Sequence, residues 1–168
     1  MLESSATKVD VFVSVGSNIA PEDNLRMACR ELAADYGDLN LSSVYRNKAV
    51  GFEGDDFLNM VVGFNTAAQP EHLFAHMEQL HEQAGREYQE NPFCSRTLDL
   101  DILLYGDLVR RRLKLPHQDL EKYEFVLCPM VEVAPELRHP VSGKTMSQLW
   151  DGFDAETHPM QKVDIGIN

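Results

Sequence analysis

The chain has 168 residues, 43% of them hydrophobic, enough to bury a sizeable core in one globular domain. Its net charge of −12 argues against a nucleic-acid partner, which needs a positive surface, and no apolar run approaches the roughly 20 residues that span a bilayer. The N-terminus shows no signal-peptide pattern, so a cytoplasmic protein is expected.

Valines alternate from Val9 to Val15 and read as a strand that ends at Gly16-Ser17-Asn18. Pro21 suits the first turn of a helix on which Leu25, Cys29, Leu32 and Tyr36 recur at helical spacing, and Gly37 closes it. Residues 39–50 read as a second strand, 51–56 as a polar loop and 57–66 as a third strand. A second helix follows Pro70, with Leu73, Met77, Leu80 and Ala84 on one face, and stops at Gly85. Residues 86–95 are polar, contain Pro92 and read as a loop into a fourth strand. After Gly106-Asp107 a basic extended segment leads to Leu115-Pro116-His117, and a short helix is expected between Phe125 and Val133. The tail beyond has no readable pattern. Strand, helix, two strands, helix, strand predicts an α+β fold: a ferredoxin-like-derived α/β/α sandwich with a largely antiparallel sheet, related to the split βαβ arrangement. Residues 1–168 read as one domain with its core over 9–150.

The fourth strand carries the chemistry. In Ser95-Arg96-Thr97-Leu98-Asp99-Leu100-Asp101-Ile102-Leu103-Leu104-Tyr105 two aspartates alternate with aliphatics. Side chains two apart share a strand face, so Leu98, Leu100, Ile102 and Leu104 are expected on one side and Asp99 and Asp101 on the other. Aspartate is depleted in strands, and adjacent carboxylates repel unless a cation lies between them. Oxygen ligands of this kind suit magnesium, which is commonly held by one or two carboxylates plus substrate phosphates. The plainer alternative is a half-buried strand with an acidic outer face; Arg96 favours the metal, because it can meet the phosphate that a metal brings. Any phosphate site must be a basic island in an acidic molecule, drawn from Arg86, Arg96 and the cluster Arg110, Arg111, Arg112 and Lys114.

Other candidate chemistry is thinner. The cysteines Cys29, Cys94 and Cys128 form neither a disulfide framework nor a CxxC metal site; the first and last read as reduced core residues, and Cys94 as a loop thiol. His72 and His76 are spaced to share a helix face, but no glutamate of the zincin pattern lies between them, so an exposed face is expected.

With these elements placed, the chain resembles the 6-hydroxymethyl-7,8-dihydropterin pyrophosphokinases of folate biosynthesis. The resemblance runs through Val15-Gly16-Ser17-Asn18, Ser43-Val44-Tyr45-Arg46, Phe57-Leu58-Asn59, Arg96-Thr97-Leu98-Asp99-Leu100-Asp101-Ile102, Leu115-Pro116-His117 and Pro129-Met130-Val131-Glu132-Val133-Ala134-Pro135-Glu136-Leu137. It implies transfer of pyrophosphate from ATP to a reduced pterin, giving AMP, with two magnesium ions bridged by Asp99 and Asp101. Arg86 and Arg96 would meet the migrating phosphates, and Ile102, Arg112, Lys114 and His117, with Arg96, would hold ATP. Asn59 would read the pterin edge, Phe57, Phe93 and Phe125 its faces, and Val50 and Gly51 would meet it through backbone groups. The family resemblance implies a monomer or weak dimer with small-molecule substrates as its partners.

Several positions depart from the family pattern. Phe93-Cys94-Ser95 stands in place of a tryptophan, glycine and proline, and Glu87-Tyr88-Gln89-Glu90-Asn91-Pro92 in place of a loop rich in cations. His81 replaces a frequent glutamate, Tyr123 a frequent arginine and Gln118 a usual aromatic, and Asn47-Lys48-Ala49 replaces a threonine and prolines. The metal pair is intact. The alternative function is a slow or non-catalytic paralogue that binds a pterin or nucleotide.

Overall fold

The alternating valines form β1 (Val9–Ser17), with Val11, Val13 and Val15 buried on one face and Phe12 on the other. The structure is a computed structural model and describes residues 7–85, 95–154 and 159–167. Beside β1 lies β4 (Phe57–Thr66), where Phe12 faces Gly63; a Cβ on that glycine would come within 2.8 Å of the ring, so a bare backbone makes room for it. On the other side of β1 is β5 (Asp99–Tyr105), and beyond β4 come β3 (Val44–Asn47) and β6 (Met160–Val163). The short β2 (Asn40–Leu41) pairs with β4 as well, and every one of these pairings is antiparallel.

Helices α1 (Pro21–Tyr36) and α2 (Pro70–Gln83) each join two strands that have a third between them, the split βαβ plan occurring twice. Both cover one sheet face, through Leu25, Ala28 and Leu32 and through Leu73, Met77 and Leu80. On the opposite face α3 (Glu124–Val133) and α4 (Met146–Asp151) bury Val126, Leu127, Met130 and Met146 against Phe12 and Val61. The result is the α/β/α sandwich expected from the element order. Each fully buried leucine in these two cores contributes roughly 1.5–3 kcal/mol.

Three expectations need correction. The second strand is broken into β2 and β3, because Ser42 turns its hydroxyl into the ladder and accepts the Val61 N–H at 2.9 Å. Leu98, just before β5, and Leu100 and Ile102 within it do share a core, but Leu104 lies in the opposite one with Leu103. The register against β1 slips between Phe12 and Val13, so one extra residue in β5 reverses the alternation, as a β-bulge does. The basic segment after Gly106 is not extended: Arg111–Leu113 makes a single 3-10 turn, Lys114 takes φ 54°, and Arg110 bridges to Leu115. The tail is ordered where described. A capping box of Thr145 and Gln148 starts α4, and beyond β6 the Ile165 carbonyl accepts two hydrogen bonds from Arg26 at 2.7 and 3.0 Å.

Of the two helix histidines, His72 is exposed, whereas His76 is half-buried and reaches Asp35 at 2.8 Å and the Tyr36 hydroxyl at 2.6 Å. Cys29 is buried and its thiol is pushed up to about 11 by that burial, while Cys128 is half-buried; both are free. No described helix is long and apolar enough to cross a membrane.

Helix α3 is tied to β3 by Glu132, whose carboxylate accepts the Tyr45 hydroxyl and, at 2.9 Å, the Ser43 N–H. Burial pushes that carboxyl up, but these hydrogen bonds and Lys162 outweigh it and hold the group below its ordinary value. A carboxyl lowered by folding stabilises above its unfolded value and loses that contribution as pH falls through the folded one. Tyr45→Phe should therefore cost about 1 kcal/mol at pH 7, a low figure because Glu132 is exposed, and the gap should shrink below pH 4.5. Urea denaturation of both proteins at pH 7 and pH 3.5 measures it; an equal gap at both would refute it.

Candidate active site

The end of β1 is a junction built by side chains. Ser17 and Asn18 are buried, and their side chains reach chain segments distant in sequence. The Ser17 hydroxyl donates to the Thr97 carbonyl at 2.5 Å. Asn18 accepts the Arg96 N–H at 2.7 Å, donates its backbone N–H to the Arg96 carbonyl at 3.0 Å, and directs its amide N–H groups at the Asp55 carbonyl and the Ser95 hydroxyl. The loop before β4 and the residues entering β5 are thereby fixed to one point. Gly16 precedes them because a Cβ there would meet the Asn59 Oδ1 at 2.6 Å.

From that junction β5 carries Asp99 and Asp101, both half-buried, at the mouths of two cavities. Asp99 belongs to the wall of both. The first, of about 390 Å³, is lined by Val50, Phe57, Asn59, Arg96 and Phe125 among the residues expected from sequence. Gly51 lies exposed beside Val50 and Phe52, with φ 83°, and is not itself part of the lining; the wall there is Phe52. The second, of about 400 Å³, is lined by Asp101, Ile102, Arg112, Lys114 and His117. Arg96, expected to serve the nucleotide, lines the first cavity rather than the second. Arg86, Phe93 and Cys94 lie outside the described residues. Both volumes fall in the range of small-molecule sites.

The first cavity is aromatic and amide-lined. Phe52 and Phe57 meet edge to face with centroids 6.3 Å apart, and Tyr123 stacks on Phe125 at 4.8 Å. Asn59 donates to Asn47 Oδ1 at 2.5 Å, and the buried Asn47 donates in turn to the Lys48 carbonyl at 3.0 Å. Such walls suit a flat heterocycle with hydrogen-bonding edges. Sequence reasoning did not assign Asn47, Phe52, Tyr123 or Lys122 to this cavity. In the sequence Asn47 and Tyr123 stand out only as departures from the family pattern.

A third carboxylate, Asp119, was missed altogether. It follows His117 on a 3-10 turn, and Asp101, His117 and Asp119 place ligand atoms within 4.8 Å of one another. The imidazole Nδ1 accepts the Asp119 N–H at 3.2 Å, so its other nitrogen carries the proton and faces Asp101 at 3.9 Å. Burial holds His117 below its ordinary value, aided by Lys114, against the pull of Asp119 and Asp99. Burial likewise raises the Asp119 carboxyl, against His117 and Lys122. The nearby histidine is thus neutral at pH 7, and the charged donors facing the cavities are carboxylate oxygens. That donor set fits a hard divalent cation such as magnesium, completed by oxygens of a ligand.

Behind the pair, the open edge of β5 meets α2. There the Leu100 N–H donates to the Nε2 of His81 at 2.8 Å, and the His81 Nδ1 lies 3.3 Å from Glu78.

Comparison with known proteins shows the family and the fold. A family profile described as 7,8-dihydro-6-hydroxymethylpterin-pyrophosphokinase (HPPK) matches residues 12–135. The 2-amino-4-hydroxy-6-hydroxymethyldihydropteridine pyrophosphokinase of Synechocystis sp. is 38% identical over 147 residues, which are 84% of this chain and 75% of that protein. Its namesake in Aquifex aeolicus is 32% identical over 142 residues, 82% of this chain and 88% of that one. Among solved structures, wild-type Plasmodium falciparum HPPK-DHPS superposes with a TM-score of 0.65 at 12% identity, over 89% of this chain and 45% of that one. The same protein with pteroate gives 0.63 at 13%, over 90% and 43%. The chain therefore spans less than half the length of these solved structures, whose likeness shows the fold. Together the profile and the relatives place the chain in the HPPK family.

Proposed function

We propose that this protein transfers the pyrophosphoryl group of ATP to the hydroxymethyl oxygen of 6-hydroxymethyl-7,8-dihydropterin, in the cytoplasm, as a monomer or weak dimer. The observation that carries the reading is Asp99, which stands in the wall common to an aromatic, amide-lined cavity and a basic one. A pterin in the first and ATP in the second would bring an acceptor hydroxyl and a triphosphate to the same carboxylates. The hydroxymethyl oxygen attacks the β-phosphorus, the bond from that phosphorus to the oxygen it shares with the α-phosphate breaks, and AMP leaves with that oxygen. The hydroxyl proton passes to solvent.

Such transfers rest on positioning and charge stabilisation, so no protein nucleophile is needed. Asn59, held by Asn47, presents its amide to the pterin edge, and Phe57 and Phe125 pack on the ring. Arg96 faces the pterin side of the junction, where the migrating group arrives; Arg112, Lys114 and His117 take the nucleotide, with Ile102 behind them. Asp99 and Asp101 would hold two magnesium ions, which when bound neutralise the triphosphate. Asp119, whose carboxylate lies within 4.8 Å of ligand atoms of Asp101 and His117, would offer a further oxygen to such an ion. Arg86 and Phe93 complete the proposed set from the segment before β5.

Purified protein given ATP, magnesium and the hydroxymethyl pterin should release AMP stoichiometrically with the pterin diphosphate; binding of both ligands without AMP would overturn the catalytic reading. Asp99→Asn and Asp101→Asn should each lower kcat at least about a thousandfold, because several kcal/mol of charge stabilisation is lost. Normal turnover in either variant removes the metal assignment. Gly16→Ala should displace the Asn59 amide and weaken pterin binding about tenfold, a lost hydrogen bond's worth, with ATP affinity unchanged. Fluorescence titration with each ligand reads the difference, and equal losses for both ligands would count against Asn59 as the pterin reader.

A further inference from the structure

Among the described residues, the strand that bears the proposed metal ligands has a neighbour on one side only. β5 pairs with β1, where Asp99 faces Gly16 and Asp101 faces Ser14, and it is the last strand of the sheet on that side. A terminal strand must find partners for the backbone groups on its open side, or leave them to water and gain freedom to move. In this strand the open N–H between the two aspartates belongs to Leu100, and the Nε2 of His81 accepts it at 2.8 Å. His81 is only 4% exposed, and α2 is anchored in the core by Met77 and Leu80 on the turn before it. Because Nε2 accepts, Nδ1 carries the proton and points at Glu78, 3.3 Å away. The same imidazole lines the second cavity beside Asp99 and Asp101.

We propose that His81 is the positioning residue for this carboxylate pair: through the Leu100 N–H it clamps the open edge of β5 and fixes the aim of Asp99 and Asp101. The inference rests on reading those two residues as the divalent-cation ligands. β1 holds the strand on its inner side and His81 on its outer side, so the short run between the aspartates is gripped from both. A neutral acceptor does this without adding charge, leaving the local negative potential to the aspartates. Groups that orient metal ligands from behind govern affinity strongly; replacing one typically costs 10–100-fold. The family resemblance expects glutamate at this position, and both side chains can accept an N–H, which is the property the strand edge requires.

The test uses the full chain, Mn2+ as the probe and a non-hydrolysable ATP analogue, with bound Mn2+ counted by electron paramagnetic resonance. His81→Leu should weaken Mn2+ binding about tenfold or more while pterin affinity stays at the wild-type level. His81→Gln, whose amide oxygen can accept the Leu100 N–H, should recover most of that loss. In the wild type, a through-hydrogen-bond 15N–15N coupling should link the Leu100 amide to the His81 ring. Undiminished Mn2+ affinity in the leucine variant, or a glutamine variant no better than leucine, overturns the inference alone. A wild type that holds no Mn2+ overturns the metal assignment and this inference with it. Absence of the coupling in folded wild type overturns the inference even if the leucine variant fails to fold.

Discussion

Asn18 uses one short side chain to hold two stretches of chain that are far apart in sequence. Its amide and backbone reach Asp55, Ser95 and Arg96, and Ser17 adds Thr97. An amide buried this deeply has to be satisfied, since each unmet hydrogen bond costs about 1–3 kcal/mol. The requirement works in both directions: the asparagine needs those loops, and the loops are anchored at the end of β1 by Asn18 together with Ser17. Both cavities open around this knot, so their shapes follow from it. Arg96 is held at the first cavity by its backbone.

The electrostatics are local and run against the whole. A chain of net charge −12 repels polyanions at long range, yet Arg112 and Lys114 gather on the turn beside the second cavity, and Arg96 and Lys122 at the first. Screening confines the global repulsion to about 8 Å at physiological salt, so the near cations decide once a ligand has arrived. The carboxylates among them supply the opposite sign, and a divalent cation reconciles the two. This is why an acidic protein can serve a triphosphate without a broad basic surface.

Much of this was legible in the sequence because it obeys short periods. The valines of β1, the helical spacing of α1 and α2 and the Asp99–Asp101 alternation each declare a face, and the faces assemble as the element order requires. The site was legible in part: Asn59 stood out as an amide in an apolar strand, and it lines the first cavity beside Phe57 and Phe125. What escaped depends on contacts distant in sequence. Ser17 and Asn18 were visible as a motif, but nothing local says that they grip residues 78 to 80 places away. Asp119 looks like any surface acid until the turn folds it toward His117. His81 read as a departure in a helix, and its partner is a backbone N–H that no side-chain pattern encodes. The strand β6 carries no alternation and forms because β3 offers it an edge and Arg26 secures the carbonyl of Ile165 just beyond it. The Leu103-Leu104 pair hid the bulge, since leucine suits either core.

That bulge ties the site to the scaffold in one further respect. The extra residue, Leu103, turns its carbonyl outward to accept the His117 N–H at 2.9 Å, so the docking point for the histidine exists only because the strand is one residue too long. Removing that residue would straighten the strand, eject Leu104 from its hydrophobic layer and strand the loop that carries His117 and Asp119. Length changes in the outlying turn at 111–113 face a gentler constraint, because the Arg110–Leu115 bridge closes its base. Insertions and deletions in descendants of this chain should therefore be absent from the middle of β5 and tolerated at the turn that follows it.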